Sequence, residues 1–182
     1  MIFKETKLAG AFILELEKFE DDRGFFAHSW SPRELAQHGL EAPVAESAIS
    51  FNRKKGTLRG MHYQASPHSQ DKIVRCTMGS MYDVIIDLRL SSPTFKQWMA
   101  TELTAGNRLM LYVPKGLAHG FLTLEDDTEV FYQMSDLYNP ESVRGVRWND
   151  PAFDMTWPES AQIIINERDR SYPDFGLEGN EP

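Results

Sequence analysis

Ile73-Val74-Arg75-Cys76-Thr77-Met78, then Gly79-Ser80, then Met81-Tyr82-Asp83-Val84-Ile85-Ile86-Asp87-Leu88, is the stretch that decides the class of fold. Its apolar residues are rich in Val and Ile and recur with a period near two, which is strand chemistry rather than helix chemistry. Gly79-Ser80 reads as a glycine-containing hairpin connection, so the two strands are expected to pair with each other. Outward from this stretch the pattern repeats. Leu109–Pro114, His119–Leu124 and Glu129–Met134 continue the series, broken by Pro114-Lys115-Gly116 and Glu125-Asp126-Asp127, both of which are turn chemistry. Upstream, Ala11–Leu16, Phe25–Ser29 and Glu46–Phe51 read as strands. Only Pro32–His38 carries a helical signature, with Ser31 as cap and Pro32 at the first helical position. Many short strands with almost no helix predict an all-β chain, a two-sheet jelly roll or a small barrel.

The 182 residues fit one domain, and no linker divides them, so a single domain over residues 1–182 is expected. From Asn139 onward the chain is rich in Pro, Asp, Asn and Trp, and is expected to wrap the sandwich and close one end of it. Glu178–Pro182 reads as a polar tail. A formal net charge of −8 argues against nucleic acid or an anionic membrane as the main partner. No apolar run is long enough to span a bilayer. Met1-Ile2-Phe3-Lys4-Glu5 has no signal-peptide character, and the single cysteine, Cys76, fits a reducing compartment. A cytoplasmic protein is the expectation.

The segment Gly56-Thr57-Leu58-Arg59-Gly60-Met61-His62-Tyr63-Gln64 places an arginine and a histidine close together. Histidine is the side chain most readily tuned as a general base near neutral pH, and arginine offers a fork for phosphate. A strand histidine can equally be structural. A metal site in a jelly roll of this kind needs a second histidine two positions on; here that position is Gln64, and His68 and His119 do not complete a compact set, so no metal is expected. His119 reads either as a turn-end histidine bonded to backbone or as a substrate contact. Lys72 at a strand start, Tyr132 between Phe131 and Gln133, and Asp169 between Arg168 and Arg170 have equally bland readings as a solvated lysine, a core phenol and a surface ion pair.

Together the motifs resemble the dTDP-4-dehydrorhamnose 3,5-epimerase family. The pieces are Asp22-Arg23-Gly24-Phe25-Phe26, Leu58 to Gln64, Lys72 to Cys76, Asp87-Leu88-Arg89 with Ser91-Ser92-Pro93-Thr94-Phe95, Val113 to Phe121, and Trp148-Asn149-Asp150-Pro151. The resemblance implies a cupin-type jelly roll that acts, without metal or redox cofactor, on nucleotide-linked 4-keto-6-deoxy sugars in deoxysugar and polysaccharide biosynthesis. It implies His62 as general base oriented by Asp169, Lys72 beside the ketone oxygen, and Tyr132 as the acid on the opposite face. It further implies Arg23 and Arg59 on the diphosphate, Tyr138 at the nucleotide, and His119 lining the sugar pocket. Family members are typically homodimers that exchange N-terminal strands.

The chain departs from the family's usual residues at the nucleotide end. His28 stands for a glutamate, Ser47-Ala48-Ile49 for Gln-x-Asn, and Val143-Arg144-Gly145 for Glu-Arg-Gly. His28, Ser47 and Ile49 are therefore expected to contact the nucleotide and to discriminate weakly between bases.

Overall fold

The computed structural model describes residues 1–41 and 43–176; the polar tail expected over Glu178–Pro182 lies outside the described residues. The elements are β1 (Ile2–Glu5), β2 (Phe12–Glu15), β3 (Phe19–Asp21), β4 (Gly24–Phe26), α1 (Pro32–Gln37), β5 (Glu46–Asn52), β6 (Leu58–Gln64) and β7 (Lys72–Met78). They continue with β8 (Ser80–Asp87), β9 (Trp98–Thr104), β10 (Met110–Val113), β11 (Leu117–Thr123), β12 (Thr128–Met134), β13 (Val143–Gly145) and α2 (Glu167–Arg170). A six-stranded sheet in the order β1-β2-β10-β7-β12-β5 faces a five-stranded sheet in the order β13-β6-β11-β8-β9, and β3 pairs with β4 in a separate ribbon. All pairings between these strands are antiparallel. This is the all-β, cupin-type jelly roll that the resemblance implied.

The pairing expected across Gly79-Ser80 does not form. β7 pairs with β10 and β12, whereas β8 pairs with β11 and β9, so the turn carries the chain from one sheet to the other. Gly79 makes this possible: its φ is +74°, and a Cβ there would stand 2.6 Å from Thr128 Oγ1. Turn chemistry at a hairpin and at a sheet-to-sheet corner is the same, which is why the sequence alone favours the hairpin. Except between β8 and β9, every successive strand from β5 to β13 changes sheet in this way.

Between the sheets lies an apolar core that includes Val74, Cys76, Met81, Ile85, Leu111 and Phe121. The outer face of the five-stranded sheet is covered too, by Val146, Phe153, Met155 and Trp157 of the C-terminal third packing on Val84 and Ile86. β8 is thus buried on both faces, which explains its nearly unbroken apolar run. α1 covers the outer face of the six-stranded sheet through Leu35, packed with Leu14, Ile73 and Met110. Ser31 caps α1 as expected, its Oγ accepting the Glu34 N–H. No helix among the described residues is long and apolar enough to cross a membrane.

Candidate active site

One end of the sandwich opens into a cavity of about 450 Å³. Arg59 and His62 of β6 and His119 of β11 enter it from the five-stranded sheet; Ser50, Lys72 and Tyr132 enter it from the six-stranded sheet. Asn166, Arg168 and Asp169, from the segment around α2, close one side.

His62 is held in place by the backbone around it. A Cβ on Gly60 (φ +118°) would lie 2.5 Å from the Gly120 Cα, so only a pair of glycines lets β6 and β11 approach this closely beside His62 and His119. The glycine at 120 therefore admits another backbone. His62 Nε2 lies 2.7 Å from Asp169 Oδ1, and Asp169 Oδ2 accepts the Gly60 N–H at 3.1 Å. A carboxylate accepts, so Nε2 carries the proton in this bond and Nδ1 is left as the basic nitrogen. Burial pushes the imidazole below its usual pKa of 6.5; Asp169 pulls upward, and the charges of Lys72 and Arg168 add to the lowering. Burial pushes the Asp169 carboxyl up, but His62, the Gly60 amide and Arg168 together hold it below the usual carboxylate range. Near neutral pH the pair is a neutral imidazole beside an ionised carboxylate. That is a base ready to accept a proton.

Lys72 donates to the His62 carbonyl at 3.4 Å. Burial lowers its ammonium to about 8, against the upward pull of Asp83. Burial and the charge of Asp83 push the Tyr132 phenol up, so it stays protonated across the working pH range. The His119 ring meets Tyr132 edge-on at 6.0 Å between centroids. His119 Nε2 comes within 2.7 Å of Asp83 Oδ1, though without the alignment of a hydrogen bond. His119 is thus a cavity residue backed by a carboxylate, and its partner is not backbone.

Arg59 reaches the cavity with its Nε bonded to Asn52 Oδ1 at 2.7 Å, and Tyr138 stands exposed at the mouth. Four expected residues are not brought there within this chain. Arg23 sits at the tip of the β3–β4 ribbon, exposed and paired with Asp21. His28 is exposed near Glu34, 3.8 Å away. Ser47 and Ile49 alternate with the cavity-lining Ala48 and Ser50 along β5, so the period of two turns them away. Gln64 is fully engaged by backbone: its amide donates to the carbonyls of His68 and Leu137 and accepts from the Asn139 N–H. Among the described residues, no group of three or more His, Cys, Asp or Glu side chains is arranged to hold a metal ion.

Two participants escape sequence reasoning. Arg168 comes within 3.3 Å of both His62 Nε2 and Asp169 Oδ1, and Asp83 lies fully buried inside β8. A signal for Asp83 was present, since an aspartate within the apolar run Met81 to Leu88 demands a buried partner.

The family model for dTDP-4-dehydrorhamnose 3,5-epimerase matches residues 5–176. The chain is 40% identical over 165 residues to the dTDP-4-dehydrorhamnose 3,5-epimerase of Escherichia coli strain K12, covering 90% of this chain and 89% of that one. Its structure is similar to the crystal structure of the enzyme of that name from Elizabethkingia anophelis NUHP1, with a TM-score of 0.92, 36% identity and 96% of each chain covered. It is similar also to the Bacillus anthracis str. Ames enzyme with TDP and PPi bound, with a TM-score of 0.89 and 40% identity, over 96% of this chain and 100% of that one. Cavity, fold and sequence agree, and the chain belongs to the dTDP-4-dehydrorhamnose 3,5-epimerase family.

Proposed function

We propose that this chain inverts the centres beside the ketone of a nucleoside-diphosphate 4-keto-6-deoxyhexose, converting dTDP-4-dehydro-6-deoxy-D-glucose to dTDP-4-dehydro-L-rhamnose for deoxysugar and polysaccharide biosynthesis. The observation that carries this reading is the His62–Asp169 pair on one wall of the cavity, with the protonated Tyr132 phenol entering from the opposing sheet. Family membership and the TDP and PPi bound by the Bacillus anthracis relative support a site for a diphosphate-linked substrate.

His62 Nδ1 takes the proton from the carbon beside the ketone, and the electron pair moves onto the ketone oxygen. Lys72 stabilises that enolate, the main barrier to breaking a weakly acidic C–H bond. Tyr132 then gives its hydroxyl proton to the opposite face of the carbon; the phenolate regains a proton and His62 releases its own. Arg59 grips the diphosphate, His119 lines the sugar site and Tyr138 meets the nucleotide. Every step is a proton transfer, so the chemistry calls for no redox cofactor.

Arg23, His28, Ser47 and Ile49 have a place in this scheme if the active form is a homodimer with exchanged N-terminal strands, each ribbon serving its partner's cavity. The exposed Phe19, Phe26, Ile49 and Phe51 support an interface there. The proposed unit is a single domain over residues 1–182, acting in the cytoplasm.

Incubation with dTDP-4-dehydro-6-deoxy-D-glucose in deuterated water, followed by NMR, tests the reading. Deuterium should enter both carbons flanking the ketone. Incorporation at one carbon marks a single-centre epimerase, and none marks another substrate or a binding protein.

A further inference from the structure

The Trp148-Asn149-Asp150-Pro151 motif, with Arg147 before it, contributes no group to the chemistry above. Even so, Asp150 is buried, with 1% exposure. Its Oδ1 accepts the Ala152 N–H at 2.8 Å and its Oδ2 accepts the Phe175 N–H at 2.6 Å. Arg147 donates from Nη1 to the Tyr172 carbonyl at 3.1 Å, and its Nη2 pairs with Asp174. The Phe153 ring packs edge-on against Phe175 at 5.0 Å. Apart from Ala152, these partners all lie on residues 172–175, directly after α2.

Before α2 the chain is fastened as well. Leu58 N–H donates to the Ile164 carbonyl, and Ile164 N–H to the Gly56 carbonyl, each at 2.8 Å. Residues 164–175 therefore form a strap tied down at both ends, and α2 is the single turn between the ties. A helix of four residues has no stability of its own. Its place is set by what holds its flanks together with the Gly60 N–H bond to Asp169, and it carries Asp169 against His62.

We infer that Asp150 and Arg147 are positioning residues for the proposed reaction: they clasp the strap after α2 and so keep Asp169 Oδ1 against His62 Nε2. The inference rests on the epimerase reading for its kinetic consequence only, since the His62–Asp169 bond exists without substrate.

The test uses Asp150→Asn and the more exposed Arg147→Gln, each confirmed as folded at the assay temperature by its melting curve. Should Asp150→Asn fail to fold, Arg147→Gln decides alone. The first readout is the downfield His62 Nε2–H proton resonance, which should be lost or markedly shifted in both variants. The second is turnover, with kcat expected to fall at least tenfold and KM to stay within threefold. In an Asp169→Asn background the added clasp substitution should cost less than twofold, because the group it positions is already gone. An unchanged resonance in a folded variant, or losses that multiply in the double variant, overturns the inference. A lost resonance in a protein that turns over no 4-keto sugar supports the clasp and sinks the proposed function instead.

Discussion

Asp83 Oδ1 and His119 Nε2 stand 2.7 Å apart inside the sandwich, with side-chain exposures of 0% and 4%. The charge of Asp83 also reaches the two proposed catalytic groups of the six-stranded sheet, opposing the effect of burial on Lys72 and adding to it on Tyr132. Removing that charge with Asp83→Asn leaves burial of Lys72 unopposed, so its pKa falls further. The alkaline limb of the kcat/KM profile should then move to lower pH than in the parent enzyme. A limb that stays in place contradicts the assignment.

The parent profile is itself set by two lowered bases. His62 must be neutral to accept a proton, and burial keeps it neutral to below its usual 6.5, so the acid limb should lie below that value. Lys72 must be charged, and it loses its proton at about 8. Activity should therefore plateau from below neutrality and decline near pH 8. An acid limb above 6.5 in the free-enzyme profile would show that His62 is not the neutral base described here.

Lys72→Met should make a more stable and much slower protein. A pKa lowered from 10.5 to about 8 means the fold carries about 3 kcal/mol of burial cost for this ammonium near neutrality. Loss of the bond to the His62 carbonyl returns about 1 kcal/mol. The net gain of about 2 kcal/mol corresponds to a Tm higher by roughly 4–8 °C. It should hold below pH 8 and vanish above the ordinary lysine pKa, where the unfolded chain has also lost its proton. Turnover should fall by about 10²–10³, the usual loss for removing an oxyanion-stabilising group. Calorimetry and steady-state kinetics on one preparation check both signs.

Tyr132→Phe should separate the two proton transfers. Abstraction by His62 survives, while delivery to the opposite face fails, so in deuterated water solvent exchange into substrate should outrun product formation. Because the phenol stays protonated throughout the working range, the variant should keep the parent's pH limbs. Exchange and product falling in step would mean that another group supplies the second-face proton.

The nucleotide end should be permissive. Val143 lines the cavity, and Ile49, on the β5 face turned away from it, meets the nucleotide only across the proposed homodimer; neither side chain can hydrogen-bond. A site lacking such partners discriminates poorly, since selectivity depends on buried polar groups left unpaired by the wrong ligand. dTDP, UDP and CDP should compete within about tenfold, or about 1.4 kcal/mol. Competition binding at fixed ionic strength measures the ratio, and a much larger preference for dTDP would show that other residues read the thymine.

Sequence and structure agree where the physics is local. Period-two alternation, the Ser31 cap and the Pro114-Lys115-Gly116 turn each depend on a few adjacent residues, and each lies where expected, save that the strand expected over Phe25–Ser29 runs Gly24–Phe26. β9 carries little strand signal because it buries few side chains completely; only Leu103 along it is fully covered. The site was legible only through resemblance. Asp169 is 107 positions from His62, and by its own neighbours it reads as a surface ion pair, although the fold buries it completely. No spacing rule joins two residues that meet only when a C-terminal strap crosses the mouth of a sandwich. Ser47 and Ile49 show the converse, because correct recognition of a strand does not reveal which of its faces turns toward the cavity.

The repeated change of sheet from β5 to β13 has a kinetic consequence. Apart from β1–β2, β3–β4 and β8–β9, in-sheet neighbours are remote along the chain, as β2 is from β10 and β5 from β12. Such a topology has few local pairings to nucleate on, and closing long loops first makes its folding slow. Both cavity walls are drawn from this interleaved order, so β5, β6, β7, β11 and β12 must all be in place before the site is complete. During refolding, turnover should return only when those five strands have docked, and catalytic activity itself becomes a clock for the joining of the two sheets.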